Sequence, residues 1–197
     1  MRFDLNQDYI NAINKELQAA KPGTDLGNIK GFQRTWQPLY DTQAIGGSGD
    51  FLYFKGSNGK PKSQTNFDGQ NQLDAPRHFL VCGISLHADA MTEGADLAKI
   101  VNNGVFRLLL GDIPMLELPL SIFANLMPVL NDPGDNPAGT KAWGQTSKDE
   151  GFYTLVDPLL LAPGKNFKPI VTVDTLASPL GAPVNLKVAL TGFLFRK

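Results

Sequence analysis

A chain of 197 residues fits one large β domain, or one domain with a long arm, and buries a sizeable core without disulfides or a structural metal. Its net charge of −1, with Lys and Arg scattered along the chain, argues against nucleic acid as the main partner, because phosphate binding needs a basic face. The single cysteine excludes an internal disulfide, and 20 Gly and 14 Pro without a period exclude collagen-like and low-complexity chains.

The start, MRFDLNQDYI, lacks the basic-then-apolar layout of a secretory signal. No apolar run approaches the roughly 20 residues that span a bilayer, so no transmembrane segment is predicted, and a soluble protein made in a reducing compartment is expected. Residues 8 to 20, DYINAINKELQAA, are predicted to be the one helix of the chain. Tyr9, Ile10, Ile13 and Leu17 recur at helical spacing, Asn6 or Asp8 caps the start, and Lys21-Pro22-Gly23 ends it. Its narrow apolar stripe suits an appendage that packs on this domain or on a neighbouring subunit. Residues 22 to 50 are loop-like. Within them GFQRTWQPLYDTQ reads equally as an extended arm anchored by Trp36 and Tyr40 or as a first strand from Phe32 to Leu39. Residues 1–50 are therefore assigned to a helix and extended arm, and 51–197 to a β-sandwich domain.

From residue 51 the pattern is β. FLYF (51–54) precedes a long polar loop, followed by HFLVCGISL (78–86), VFRLLL (105–110), PMLELPL (114–120), GFYTLV (151–156), FKPIVTV (167–173) and VNLKVALTGFLF (184–195). These runs are rich in β-branched and aromatic residues and are bounded by Gly, Pro, Asn and Asp. Seven or eight strands with no helix between them favour an antiparallel sandwich or barrel over a parallel α/β sheet. VFRLLL and PMLELPL are predicted to form a hairpin closed by Gly111 and Asp112, interrupted by Arg107 and Glu117, with Pro119 marking an edge or the end of pairing. Its near-continuous apolarity predicts cover on both faces. In the last strand Val184, Leu186, Val188 and Leu190 share one face. After Gly192, Phe193 and Phe195 take the formerly polar face, which implies either a bulge or burial on both sides.

Candidate sites are few. His78 and His87 flank one strand near its opposite ends, with Cys82 mid-strand between them, so they do not converge as a zinc site requires. Cys82 reads as a buried small hydrophobe. Asp132, Asp135 and Asn136 in NDPGDNPAGT offer oxygens for calcium, but without EF-hand spacing or a closing glutamate, and plain turn chemistry outweighs an ion site. No G-x-S-x-G elbow or phosphate loop is present. No catalytic, cofactor or metal residue is assigned, and an enzyme is not expected. Carbohydrate binding is the best ligand reading, with Trp36, Tyr40, Tyr53, Trp143 and Tyr153 as stacking platforms, although aromatics in strands are more often core or interface.

Three pieces carry a family resemblance: TNFDGQNQLDAPRHFLVCGISL (65–86), NNGVFRLLLGDIPMLELPLSIF (102–123) and LAPGKNFKPIVTVDTLASPLGAPVNLKVALTGFLFRK (161–197). Their cadence of strands and turns resembles viral jelly-roll structural proteins, most of all those of bacteriophage heads. The resemblance implies an all-β antiparallel β-sandwich of jelly-roll type. It also implies a virion protein, present in host cytoplasm during assembly: a decoration (cement) protein that stabilises the capsid, or a jelly-roll capsid subunit. The partners it implies are the major capsid protein or other virion proteins, and sister copies, with a trimer favoured. A carbohydrate-binding or receptor-binding module is the rival from another class.

Overall fold

The computed structural model describes residues 33–57, 59–89, 92, 94–124 and 153–196. The helix expected over 8–20, the 131–140 loop with Asp132, Asp135 and Asn136, and Trp143 lie outside the described residues. The elements run β1 (Gln33–Ile45), β2 (Gly49–Leu52), β3 (His78–Ala88), α1 (Gly94–Asn103), β4 (Gly104–Leu110), β5 (Ile113–Pro119), α2 (Ser121–Ala124), β6 (Tyr153–Leu161), β7 (Phe167–Val173) and β8 (Val184–Arg196). The eight strands make two four-stranded sheets, β1-β8-β3-β6 and β2-β7-β4-β5, with every named pair antiparallel.

Period-2 alternation explains why these segments are strands. Along β7, Phe167, Pro169, Val171 and Val173 are buried while Lys168, Ile170 and Thr172 are only partly so. The inward sets of both sheets meet in one core that includes Ile45, Phe79, Leu86, Phe106, Leu108, Leu186, Val188 and Leu190. A second aromatic layer closes one end, where Phe54, Phe67 and Phe167 contact each other with centroids 5.3 to 5.6 Å apart. Tyr53 is fully buried there, and its hydroxyl donates to the Leu186 carbonyl at 3.2 Å. Burial, and then the Asp41 charge, hold that phenol far above its ordinary titration range.

The β4–β5 hairpin forms as the sequence predicts. Leu110 faces Ile113, and the two linking residues begin with Gly111 at φ +63°, the positive angle that a II′-type turn places on its first central residue. Pro119 ends β5, which is an edge strand. Two expectations change. The segment split between arm and strand is strand β1, paired with β8 along all 13 residues, so the sandwich takes in residues 33–50 that were assigned to the arm. A ten-residue helix, α1, stands between β3 and β4 where none was expected. It buries Ile100 and Val101 and rests Leu97 on the core. Among the described residues nothing fully covers the hairpin: Ile113, which faces Leu110, is 67% exposed and Met115 45%.

Gly192 resolves the break in the last strand. The bulge lies in the neighbouring strand: Val81 faces Gly192 and Gly83 faces Thr191, leaving Cys82 as the extra residue. A Cβ on Gly192 would overlap the Leu80 carbonyl oxygen, so only glycine fits opposite the bulge. The parity of β8 does not flip. Leu194 continues the core face, while Phe193 joins Leu80 and Cys82 in a separate apolar cluster on the outer face.

Candidate functional site

The described surface offers four places to look for function, and each is built by particular residues. The first is the outer edge of β1. Residues 60 to 67 of the long β2–β3 loop run along it. Asn66 N–H donates to the Tyr40 carbonyl at 3.2 Å, and the Asn66 side chain accepts from Tyr40 N–H and donates to the Pro38 carbonyl, both at 2.8 Å. Thr42 Oγ1 donates to the Gln64 carbonyl at 2.8 Å. At the centre is Asp41, an inward residue of β1 with 0% exposure. Its carboxylate accepts from Phe54 N–H and from Lys60 Nζ, both at 2.8 Å, and from Gln43 Nε2 at 3.3 Å. Phe54 sits at φ +62°, a left-handed angle costly for a side-chain-bearing residue, and the Asp41 bond helps to hold it there. A buried charge so fully hydrogen-bonded acts as a clasp between β1, β2 and the loop.

The second place is the outer face of the first sheet. Phe193, Leu80 and Cys82 are buried there, with Leu160 and Phe195 packed against them. Trp36 meets Phe193 edge-on at 4.7 Å, and the Arg34 guanidinium lies 4.8 Å over the same ring. Burial pushes the Cys82 thiol up to about 11, so it is protonated and inert at neutral pH.

The third place comprises two polar clefts. One, of about 500 Å³, is lined by Gln70, Gln72, Leu73, Asp74, Pro163 and Gly164. The other, of about 290 Å³, lies between the β2–β3 loop and the ends of β1, β3 and β8, and includes Thr42, Gln64, His87, Asp89, Asn185 and Lys187. His87 Nε2 lies 3.0 Å from Ser85 Oγ, and its pKa is lowered by burial and then by the Lys187 charge. His78, at the other end of β3, contacts the Pro76 carbonyl at 3.1 Å, and burial lowers its pKa against that bond. The two histidines stand at opposite ends of one strand, as the sequence predicts, with Cys82 between them. Among the described residues no group of three or more His, Cys, Asp or Glu side chains is placed to hold a metal ion.

The four described aromatic platforms, Trp36, Tyr40, Tyr53 and Tyr153, are not brought together. Tyr53 is a core residue. Tyr40 donates its hydroxyl to the Lys62 carbonyl at 2.6 Å and has Lys187 Nζ 5.1 Å over its ring. Trp36 leans on Phe193, and Tyr153 packs beside Phe123 at 6.0 Å. These are structural uses of aromatic area.

The fourth place is the side of the sandwich formed by β5, α2 and β6. Phe123 of α2 bridges to Tyr153 of β6 and to Phe106 of β4, which brings the two edge strands to one side. Strand β6 bows outward here. Leu159 faces Val81 and Thr154 faces Gly83, so Leu155 to Pro158 have no partner residue in the β3 register. The bow buries Leu155 and thrusts Val156 out to 93% exposure. Four of the five exposed large hydrophobics in the described structure, Ile113, Met115, Ile122 and Val156, are on this side. In the sequence the bow is marked by Asp157-Pro158, just past the predicted end of the strand at Val156, whereas β6 runs on to Leu161.

The fold and these surfaces define an antiparallel β-sandwich whose most distinctive exposed feature is apolar. Comparison with known proteins adds no relative: no family model, no curated protein and no solved structure matches the chain.

Proposed function

We propose that this chain is a virion structural protein of jelly-roll type, a decoration (cement) protein that stabilises a bacteriophage head through protein–protein contacts. The observation that carries the reading is the pairing scheme. Strands pair 1 with 8, 2 with 7, 3 with 6 and 4 with 5, and the contacts of β8 with β3 and β7 with β4 complete the sheets. Rolling an antiparallel ribbon of nested hairpins yields this order, which is the order of a jelly roll, a fold frequent among capsid and lectin domains.

Fold alone does not separate those uses. The surface tilts the choice. Glycan recognition rests on aromatic platforms, and Tyr53 and Tyr40 are spent on the core and the β1 clasp. Assembly rests on exposed apolar area framed by polar residues, as on the β5–α2–β6 side. The test is co-sedimentation of the purified protein with phage heads stripped of their decoration, alongside a glycan array. Saturable binding to heads and no glycan hits support the proposal. A monomer that binds a glycan tightly and ignores heads overturns it in favour of a receptor-binding module.

A further inference from the structure

The smaller of the two polar clefts is built by strand register. Thr42 of β1 faces Lys187 of β8, which in turn faces His87 of β3, so the three side chains form one cross-strand row on the outer face of the first sheet. Asn185 begins the next row, and its carbonyl accepts from Asp89 N–H at 3.1 Å. The β2–β3 loop makes the wall. Thr42 Oγ1 and Lys187 Nζ hold it there, donating to the Gln64 and Ser63 carbonyls at 2.8 and 2.9 Å. The resulting cleft of about 290 Å³ is fixed before any ligand arrives.

Its charges balance at neutral pH. Lys187 supplies one positive charge and Asp89 one negative, while burial and the Lys187 ammonium keep His87 neutral. One proton on His87 makes the lining net cationic. Lys60 and Lys62 of the same loop are engaged by Asp41 and Asp68, and on the other side of β3 the pairing with β6 ends at Ile84 and Tyr153, before His87. His87 Nε2 is occupied by Ser85 Oγ at 3.0 Å, and Nδ1 has no partner among the described residues; an imidazolium carries a proton on both. Lys187 has three N–H groups, of which the Ser63 carbonyl takes one, and its ammonium lies 5.1 Å over the Tyr40 ring.

We propose that this cleft binds a small oxyanion, a carboxylate or a tetrahedral group of the sulfate or phosphate kind, between His87 and Lys187, and that His87 takes up a proton as it does so. The side chains of Ser63, Gln64 and Asn185 supply neutral hydrogen-bond donors around it. The anion offsets the repulsion that Lys187 exerts on the imidazolium, so proton and anion each favour the other. This goes beyond the shell reading and does not rest on it.

Proton NMR of the full chain tests it. The chain has two histidines, so both imidazole titrations are resolved and His78 serves as the internal control. Sodium chloride is replaced by sodium sulfate or sodium acetate at constant ionic strength. At an anion concentration about ten times its dissociation constant from the protonated form, the His87 pKa should rise by about one unit while that of His78 stays in place. Above the His87 pKa the anion's apparent dissociation constant should weaken by about tenfold per pH unit. Lys187→Gln should abolish the anion-induced rise. A rise with sulfate alone or acetate alone upholds the site and fixes the class of anion. No rise with either, an equal rise at His78, or a rise that persists in Lys187→Gln overturns it; if that variant does not fold, the comparison of the two histidines in the wild type decides alone.

Discussion

Replacing Asp41 by Ala tests the clasp most directly. The carboxylate is fully buried and accepts three bonds, from Phe54 N–H, Lys60 and Gln43. Without it the Phe54 N–H is left buried and unpaired, at a cost of about 1–3 kcal/mol. Lys60 keeps the Thr42 carbonyl and is 21% exposed, so its ammonium recovers some hydration and the loss stays below the roughly 3–5 kcal/mol of a fully buried pair. The sum is about 3 kcal/mol, since the released Phe54 also relaxes from φ +62°. For a domain of this size that lowers the melting temperature by roughly 6–12 °C. Lys60→Met should cost a similar amount, because it strands the carboxylate. The double variant should fall short of the sum by at least about 1 kcal/mol. Urea unfolding followed by tryptophan fluorescence gives all four values, provided m is unchanged. A loss under about 1 kcal/mol for Asp41→Ala, or strict additivity with Lys60→Met, would refute the clasp.

Gly192→Ala should destabilise by at least about 2 kcal/mol, although it adds one methyl, because that methyl meets the Leu80 carbonyl at the bulge; a neutral urea midpoint would mean β3 moves freely there. Burial holds His78 and His87 below the ordinary imidazole pKa of about 6.5. The unfolded chain therefore binds more protons below that pH, and stability present above about 6.5 is lost as pH falls. Lys99 and Lys168 hold Asp96 and Asp112 below their usual range, so a further loss follows as pH drops through the carboxylate region. Urea midpoints across this range should fall on acidification, and the variant carrying both His78→Gln and His87→Gln should flatten the first step; a midpoint that rises instead reverses the argument. Removing residues 1–32 should leave a cooperative β circular-dichroism melt, whereas removing 1–50 takes away β1, whose 13 residues pair with β8, and should abolish it. A folded 1–50 deletion would show that β1 is dispensable.

Strands announced themselves in the sequence wherever one face is apolar and the ends carry Gly or Pro. FKPIVTV is β7 to the residue, and the hairpin at Gly111-Asp112 needed only its turn pair. β1 was ambiguous for a physical reason. Its core face carries Leu39 and Ile45 but also Asp41, and a carboxylate at an inward position breaks the alternation unless its partners are known. Those partners, Phe54 and Lys60, are 13 and 19 residues away in a loop without periodicity. α1 was missed because GADLAKIVNN offers only Leu97, Ile100 and Val101 as a stripe. What anchors it is Asp96, which accepts from Gly181 N–H at 2.8 Å and Ala182 N–H at 3.2 Å in the β7–β8 loop, a contact across some 85 residues. The exposed side was half legible. The apolar surplus of LLLGDIPMLELPL was plain, but the bow that presents Val156 depends on a mismatch between β3 and β6 that appears only when the two strands are paired.

An open sandwich has four edges, and free edges recruit any strand that comes near. Here β2 is only four residues long, β1 is sealed by its loop, β5 carries Pro114 and Pro119, and β6 is broken by Pro158 and the bow. Backbone-directed association is thus disfavoured at every edge, while Ile113, Met115 and Val156 remain exposed on the same strands. A protein that only needed to stay apart from its copies would lower both hazards together, because charged side chains at those three positions would cost nothing in the core. Keeping apolar side chains while blocking the backbone favours contact through shape and side-chain chemistry, which specify a partner and its orientation, over strand pairing, which is indifferent to sequence.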